Sequence, residues 1–271
     1  MMRTWRLLVE PAPLRGSWNM AVDEILFTKA RAERSTFLRF YRWERPTASI
    51  GYSQDVRRVA DVELCRREGV DLVRRITGGK LVLHHREITY AVTSADTEMF
   101  GVTLGESYRR ISQGLMRGLE LLGLAPHLAE TSPEAYVKGT MPCFAFPARD
   151  EVEVGGRKII GSAQKRTGTA FLQHGSIPLE SDAELLRAVA RPGGGEEGAG
   201  MTALASAVGR SVAFEEAADH LGRGLAEFFA VRLDPFVLSA ADREAVADLE
   251  AHRYANDAWT FRRPGARAGA S

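Results

Sequence analysis

The chain has 271 residues, 45% apolar and 26% charged, a globular mix able to bury roughly three quarters of its unfolded surface, which excludes disorder throughout. Lys and Arg number 36 against 35 Asp and Glu, and a net charge of +1 disfavours a protein built chiefly to hold nucleic acid. The only cysteines, Cys65 and Cys143, exclude a disulfide scaffold and a Cys-rich zinc site; with no apolar leader and no run of ~18 apolar residues, the expectation is a cytoplasmic protein without a membrane span.

Residues 4–9 predict a strand, ended by Pro11 and Pro13. Ser17 is placed to cap a helix over about 18–31, with Met20, Ile25 and Leu26 on its apolar side. Residues 37–43 and 48–52 read as strands, and Asp61 as the cap of a short helix whose Cys65 is a small core residue. Residues 71–76, 81–84 and 88–93 form a compact strand-rich section around a Thr-Gly-Gly turn. The clearest helix follows, because Leu104, Tyr108, Ile111, Leu115, Leu119 and Leu122 recur at intervals of three or four before Gly123.

Residues 151–154, Gly155-Gly156 and 157–160 spell a β-hairpin with a two-residue turn, and Thr167-Gly168-Thr169 turns into a strand over 170–177. Three helices are expected over 183–190, about 214–229 and about 240–254, the last with Ser239 and Asp242 as a capping box. Between the first two, the Gly-rich stretch 191–200 is a flexible loop, either a lid or a plain insertion. Without internal repeats or regular βαβ alternation, the fold class is α+β, a largely antiparallel mixed central sheet flanked by helices. One catalytic domain over residues 1–262 and a disordered tail over 263–271 are expected.

Three segments carry candidate chemistry. Arg74-Arg75-Ile76-Thr77-Gly78-Gly79-Lys80 leads into a strand ending at His84; its glycines admit a ligand to the backbone and its free N–H groups suit an anion or a polarised carbonyl. Read alone, it is equally a tight turn with solvated arginines. Cys143 lies in a loop between Pro142 and Phe144, either an inert thiol or a nucleophile that needs a nearby cation or base. Lys158 opens a hairpin strand ahead of Gly161, Ser162, Ala163 and Gln164; it is either solvated or able to stabilise a thiolate or move a proton. His174 reads more readily as a hydrogen-bonded packing residue than as a catalyst. Adjacent His84 and His85 face opposite ways on a strand and do not chelate jointly, and no H-E-x-x-H, Walker loop or G-x-S-x-G occurs, so no metal site is expected.

Together these segments resemble the biotin/lipoate protein ligase family. The motif from Arg74 through His84 to Glu87-Ile88-Thr89-Tyr90 is similar to its substrate loop, Gly156-Arg157-Lys158 through Gln164 to its lysine motif, and Gln173 to Ile177 to the strand after it. Asn19 to Glu24 and Pro46 to Tyr52 fit as well, so the resemblance covers nearly the whole chain. Cys143-Phe144 resembles the cysteine-bearing octanoyltransferases of that family. Lys80-Leu81, where further glycine is usual, and Arg86 depart from the pattern.

The resemblance implies a biotin/lipoate ligase-like catalytic fold and a ping-pong acyl transfer without ATP or cofactor. Cys143 would take octanoyl from acyl carrier protein and pass it to a lysine of the glycine cleavage H protein or another lipoyl domain, with Lys158 lowering the thiol pKa and helping deprotonate the amine. Arg74, Thr77, Gly78, Gly79, His84, Gly161, Ser162 and Ala163 would line the acyl site. Acidic carrier surfaces would meet Arg57-Arg58 and Arg66-Arg67. The alternatives are an ATP-dependent lipoate ligase, in which Cys143 is incidental, an amidotransferase branch of the same family, and a non-catalytic carrier- or nucleic-acid-binding module.

Overall fold

The computed structural model describes residues 2–129, 151–192 and 201–262. In chain order the elements are β1 (Arg3–Val9), α1 (Gly16–Glu33), β2 (Phe37–Tyr41), β3 (Thr47–Ile50), α2 (Val56–Val59), α3 (Val62–Arg67), β4 (Asp71–Arg74), β5 (Val82–His84) and β6 (Glu87–Ser94). Then come α4 (Thr97–Phe100), α5 (Leu104–Leu121), β7 (Pro126–Leu128), β8 (Val152–Val154), β9 (Arg157–Thr167), β10 (Ala170–Pro178), α6 (Ala183–Val189) and α7 (Leu204–Val208). The chain continues through α8 (Phe214–Phe229), β11 (Val231–Pro235), α9 (Ala240–Leu249), a π-helical turn over Glu250–Tyr254, and α10 (Asp257–Thr260).

The α+β expectation holds. Eight strands form a mixed sheet in the order β11-β1-β2-β6-β10-β9-β8-β7. From β2 to β7 every neighbour is antiparallel, while β1 runs parallel to both β2 and β11. The sheet expected as one is in fact two: β4-β3-β5 stands apart, with β3 parallel to β4 and antiparallel to β5.

Alternation along the strands divides the core. Leu38 and Phe40 of β2, with Ile88, Tyr90 and Val92 of β6, pack with Ile111, Leu115 and Leu119 of α5 and Leu221 and Leu225 of α8. These two helices touch backbone to backbone: a Cβ on Gly224 would lie 2.0 Å from the Gly118 nitrogen, so only glycine fits. On the opposite face, Phe37, Tyr41, Ala91 and Leu172 pack with Met20, Leu26 and Phe27 of α1, with Val73 of β4 and with Ile76 in the loop after it. A third cluster, including Ile50, Val59, Cys65 and Leu81, fills the small sheet. Cys65 is fully buried, as expected, and burial pushes its thiol up to about 11.

Most predicted elements appear within a few residues. Gly155 and Gly156 both adopt positive φ, +58° and +71°, the turn that suits a two-residue hairpin. Asp61 caps α3 through the Leu64 N–H, and Ser239 with Asp242 forms the capping box of α9. Two expectations fail locally. Ser17 does not cap α1; its hydroxyl donates to Glu250 Oε1 at 2.6 Å, and Arg15 takes the N-cap position without a side-chain bond. Leu104 starts α5 but is 51% exposed, so the apolar stripe begins to pack only further along the helix. The stretch 193–200, the tail 263–271 and Cys143 lie outside the described residues.

Candidate active site

A pocket opens between the α1 face of the large sheet and the small sheet. The large sheet contributes Tyr41, Thr89, Gly161 to Ala163 and His174 to Ser176; the small sheet and its loop contribute Ser49, Arg75, Gly79, Lys80, Val82 and His84. Met20, Trp43, Glu151 and Lys158 complete the lining. The register that assembles it is simple. His174, Gly175 and Ser176 on β10 sit opposite Ala163, Ser162 and Gly161 on β9. Gly175 also faces Tyr90 on β6. A Cβ there would fall 2.6 Å from Tyr90 Cε1 and 2.7 Å from Ser162 Oγ, so a glycine is required where these strands press together. Tyr90 and Ser162 hydrogen-bond at 2.7 Å, and burial pushes the Tyr90 hydroxyl up to about 12.

Two histidines are fixed from behind. His174 Nδ1 lies 2.9 Å from Asp23 Oδ2, and its Nε2 lies 2.7 Å from Thr77 Oγ1. Burial raises the Asp23 carboxyl, but the His174 hydrogen bond and the Arg39 charge outweigh it and hold it below the usual carboxylate range. Burial also holds His174 below its ordinary value, against the pull of Asp23. The ionised carboxylate therefore accepts from Nδ1–H, which leaves Nε2 to accept from the Thr77 hydroxyl. Asp23 also accepts from Arg39 at 2.8 Å and from Tyr41 at 2.9 Å, and Arg39 reaches Glu10 at 3.0 Å. Burial, then the Asp23 charge, raises Tyr41 well above its ordinary value, so it remains a donor. Through this chain of charges the base of the sheet grips the Thr77 turn.

His84 is held in the same manner, with Nδ1 at 2.8 Å from Glu87 Oε1 and Nε2 at 2.7 Å from Ser49 Oγ. Its ring stacks on Trp43 with centroids 4.1 Å apart. Arg75 donates to Ser49 O at 2.8 Å, Ser49 Oγ at 2.9 Å, Gly78 O at 2.9 Å and Lys80 O at 2.6 Å, which folds the glycine turn over the pocket. Gly79 has φ +89°, and its carbonyl lies so near Gly51 that a Cβ on Gly51 would come within 1.9 Å of the oxygen. The turn is locked by backbone contact on one side and by a guanidinium on the other.

Lys158 is 2% exposed, and its Nζ donates to Glu151 Oε1 at 2.8 Å. A register shift where β8 meets β9 pairs Glu153 with Lys158 and Val152 with Ile160. The Lys158 carbonyl accepts from Thr202 N at 2.8 Å, so the segment after 201 holds it on the other side.

The predicted residues thus divide. Lys158, Gly79, His84, Gly161, Ser162 and Ala163 line one pocket. Thr77 and Gly78 act behind it, Thr77 on His174 and Gly78 through its carbonyl to Arg75. Arg74 points elsewhere: it is fully buried and donates to the carbonyls of Gly51, Tyr52, Gln54, Trp259, Thr260 and Arg262. It clamps residues 259–262 to β4, and its neighbour Arg75 faces the pocket. Burial lowers Arg74 to about 10. Asp23, Arg39, Ser49 and Glu151 were not foreseen. An arginine inside the apolar run Phe37-Leu38-Arg39-Phe40-Tyr41, and Asn19 and Asp23 one turn apart on α1, were the available signals. Among the described residues no three His, Cys, Asp or Glu side chains converge as metal ligands, and no helix is long and apolar enough to cross a membrane.

Comparison with known proteins gives this geometry a family. The model of the lipoyl protein ligase A/B catalytic domain matches residues 15–226. A protein of Kyrpidia tusciae named octanoyltransferase LipM is 40% identical over 97% of this chain and 100% of its own. Another of that name from Geobacillus kaustophilus is 36% identical over 91% of this chain and 94% of its own. Among solved structures, a bipartite lipoate protein ligase from Thermoplasma acidophilum, studied with its E2 lipoyl domain, superposes with a TM-score of 0.78 at 21% identity, covering 98% of this chain and 100% of that one. The chain belongs to the lipoyl protein ligase A/B catalytic-domain family, with proteins named octanoyltransferase LipM as full-length relatives.

Proposed function

We propose that the protein is an octanoyltransferase of protein lipoylation, acting as one catalytic domain. It takes octanoyl from octanoyl-acyl carrier protein onto Cys143 and passes it to a lysine of a lipoyl domain, such as the glycine cleavage H protein. The observation that carries this reading is the pocket between the two sheets with a buried ammonium, Lys158, in its wall beside Gly161 to Ala163. The full-length relatives named for octanoyl transfer support it.

The steps balance without ATP. The Cys143 thiolate attacks the donor thioester, the carrier sulfur leaves as a thiolate and takes a proton from the Lys158 ammonium, and an octanoyl thioester remains. The acceptor amine then attacks that carbonyl, Cys143 leaves as thiolate, and the proton lost by the amine returns to the neutral Lys158 amine. Thioester to thioester is near balance, and thioester to amide is downhill. Backbone N–H groups of the Gly78-Gly79 turn are the candidate oxyanion donors, worth about 3 kcal/mol each. Eight carbons buried in the pocket, at roughly 0.8 kcal/mol per methylene, contribute on the order of 5 kcal/mol. Arg57, Arg58, Arg66 and Arg67 are all exposed and offer acidic carriers a cationic landing.

The test combines the protein with octanoyl-acyl carrier protein and a lipoyl domain, without ATP. An octanoyl increment on the lipoyl-domain lysine is expected. Modification that appears only with ATP and free acid would make the protein a ligase instead.

A further inference from the structure

A second pocket adjoins the first. Leu81 to Leu83, Pro178, Ala183 and Leu186 form one side, and Met201 to Ala203 with Ser206 form the other. The two pockets share Val82 and Ser176 as a common wall. Arg157, immediately before Lys158, lies on the rim of the second, exposed. The exposed wall surface is mostly apolar, while Ser181, Thr202 and Ser206 supply hydroxyls and Glu87, Glu180 and Asp182 supply carboxylates.

The rim is built. The Arg86 guanidinium donates to Asp182 Oδ1 at 2.8 Å, to Glu180 Oε2 at 2.7 Å and to Ser181 O at 2.7 Å; its backbone N–H donates to Asp182 Oδ2 at 3.1 Å. Burial raises the Asp182 carboxyl, but the Arg86 hydrogen bonds outweigh it and keep the carboxylate ionised. Residues 180–182 are thereby strapped to the turn between β5 and β6. Arg86, unexplained by the sequence, is the buckle of this second pocket.

We propose that the second pocket receives the thiol arm on which the donor carries its acyl group, an arm of pantetheine type: a slender chain with two amides and a dimethyl branch, ending in a phosphodiester. The inference rests on the acyl-transfer reading above. An acyl tail in the first pocket leaves its thioester at the mouth, and whatever continues past the sulfur has to run outward from there. The shared wall at Val82 and Ser176 makes the second pocket the adjoining channel. Its apolar sides suit the methylenes and the methyl pair, its hydroxyls suit the amides, and Arg157, whose guanidinium also donates to Met201 O, gives the phosphodiester a cation at the rim. Binding this remote part of the donor would hold the thioester at the reacting carbon.

The test compares two small donors, octanoyl-pantetheine and the truncated octanoyl-N-acetylcysteamine, on the full-length protein. Wild type is expected to favour the longer arm in kcat/KM by roughly tenfold or more. Ser206→Trp, from an exposed wall position, and separately Ala183→Trp, from a half-buried one, place a large ring in the pocket; each should bring that ratio towards one. Pantetheine alone should give saturation-transfer NMR signals with wild type that Ser206→Trp loses. A ratio near one in wild type, or one unchanged in both variants, overturns the proposal. So does ATP binding that the variants abolish while the donor ratio stays put, which would assign the pocket to a nucleotide. If neither thioester acylates the protein, the acyl-transfer reading fails, and the pantetheine signal by itself decides what the pocket holds.

Discussion

Replacing Lys158 with Met tests whether the cation beside the pocket is part of a buried ion pair. The side chains of Lys158 and Glu151 are 2% and 7% exposed and lie 2.8 Å apart. Met keeps most of the volume and removes the charge, so the Glu151 carboxylate stays out of water without the ammonium that faces it. Breaking a buried pair from one side costs about 3–5 kcal/mol, more than the net worth of the pair, because desolvation is no longer offset. For a chain of this size that corresponds to a drop of about 10 °C in the unfolding midpoint. The double variant Lys158→Met/Glu151→Gln should recover most of the stability while leaving acyl transfer defective. Urea unfolding of wild type, both single variants and the double variant, together with transfer rates, gives the full cycle. A cost below about 1 kcal/mol for Lys158→Met would refute the buried pair, because that is the range of exposed ones.

Three further outcomes follow from the same geometry. Stability should fall as pH drops below 6.5: an unfolded histidine takes a proton there that buried His174 refuses, and Asp23 adds a second loss below 3.8, where the unfolded carboxyl protonates first. His174→Gln should flatten the first of these slopes in urea titrations, and an unchanged slope would count against the buried neutral imidazole. Gly175→Ala should cost about 1–3 kcal/mol by crowding Tyr90 and Ser162, read as a lowered midpoint, and a neutral result would mean the strands can part. Arg74→Met should destabilise by at least about 2 kcal/mol, because six carbonyls lose a charged donor, yet leave KM for an octanoyl donor unchanged; a KM increase would put Arg74 back in the site.

How much was legible depends on whether a feature is local. The α5 stripe beyond Leu104, the Gly155-Gly156 hairpin and the caps at Asp61 and Ser239 depend on a few neighbouring residues, and they stand where the pattern put them. Strand pairing is not local. Nothing in residues 47–50 tells that β3 would leave the large sheet for one with β4 and β5, and β11 is five residues that become a strand only against the open edge of β1. The site divides in the same way. Motif order brought Lys158, His84 and Gly161 to Ala163 to one pocket. Adjacent arginines point apart, however, and the sequence does not say which of them reaches the site, so Arg74, expected to line it, turns to backbone carbonyls while Arg75, for which no role was expected, lines the pocket. Ser17 shows a related limit: a good capping residue is drawn off by a carboxylate 233 positions away. The buried Glu10, Asp23 and Arg39 network assembles from three separate segments, and only the odd arginine within an apolar strand hints at it.

The central claim is covalent transfer through Cys143, and intact mass of the purified protein after mixing with octanoyl-acyl carrier protein, without ATP, addresses it most directly. The account predicts an octanoyl increment that maps to Cys143 and is absent from Cys143→Ala. Full transfer activity by Cys143→Ala, or no increment in wild type and labelling only when ATP and free lipoate are supplied, would contradict it.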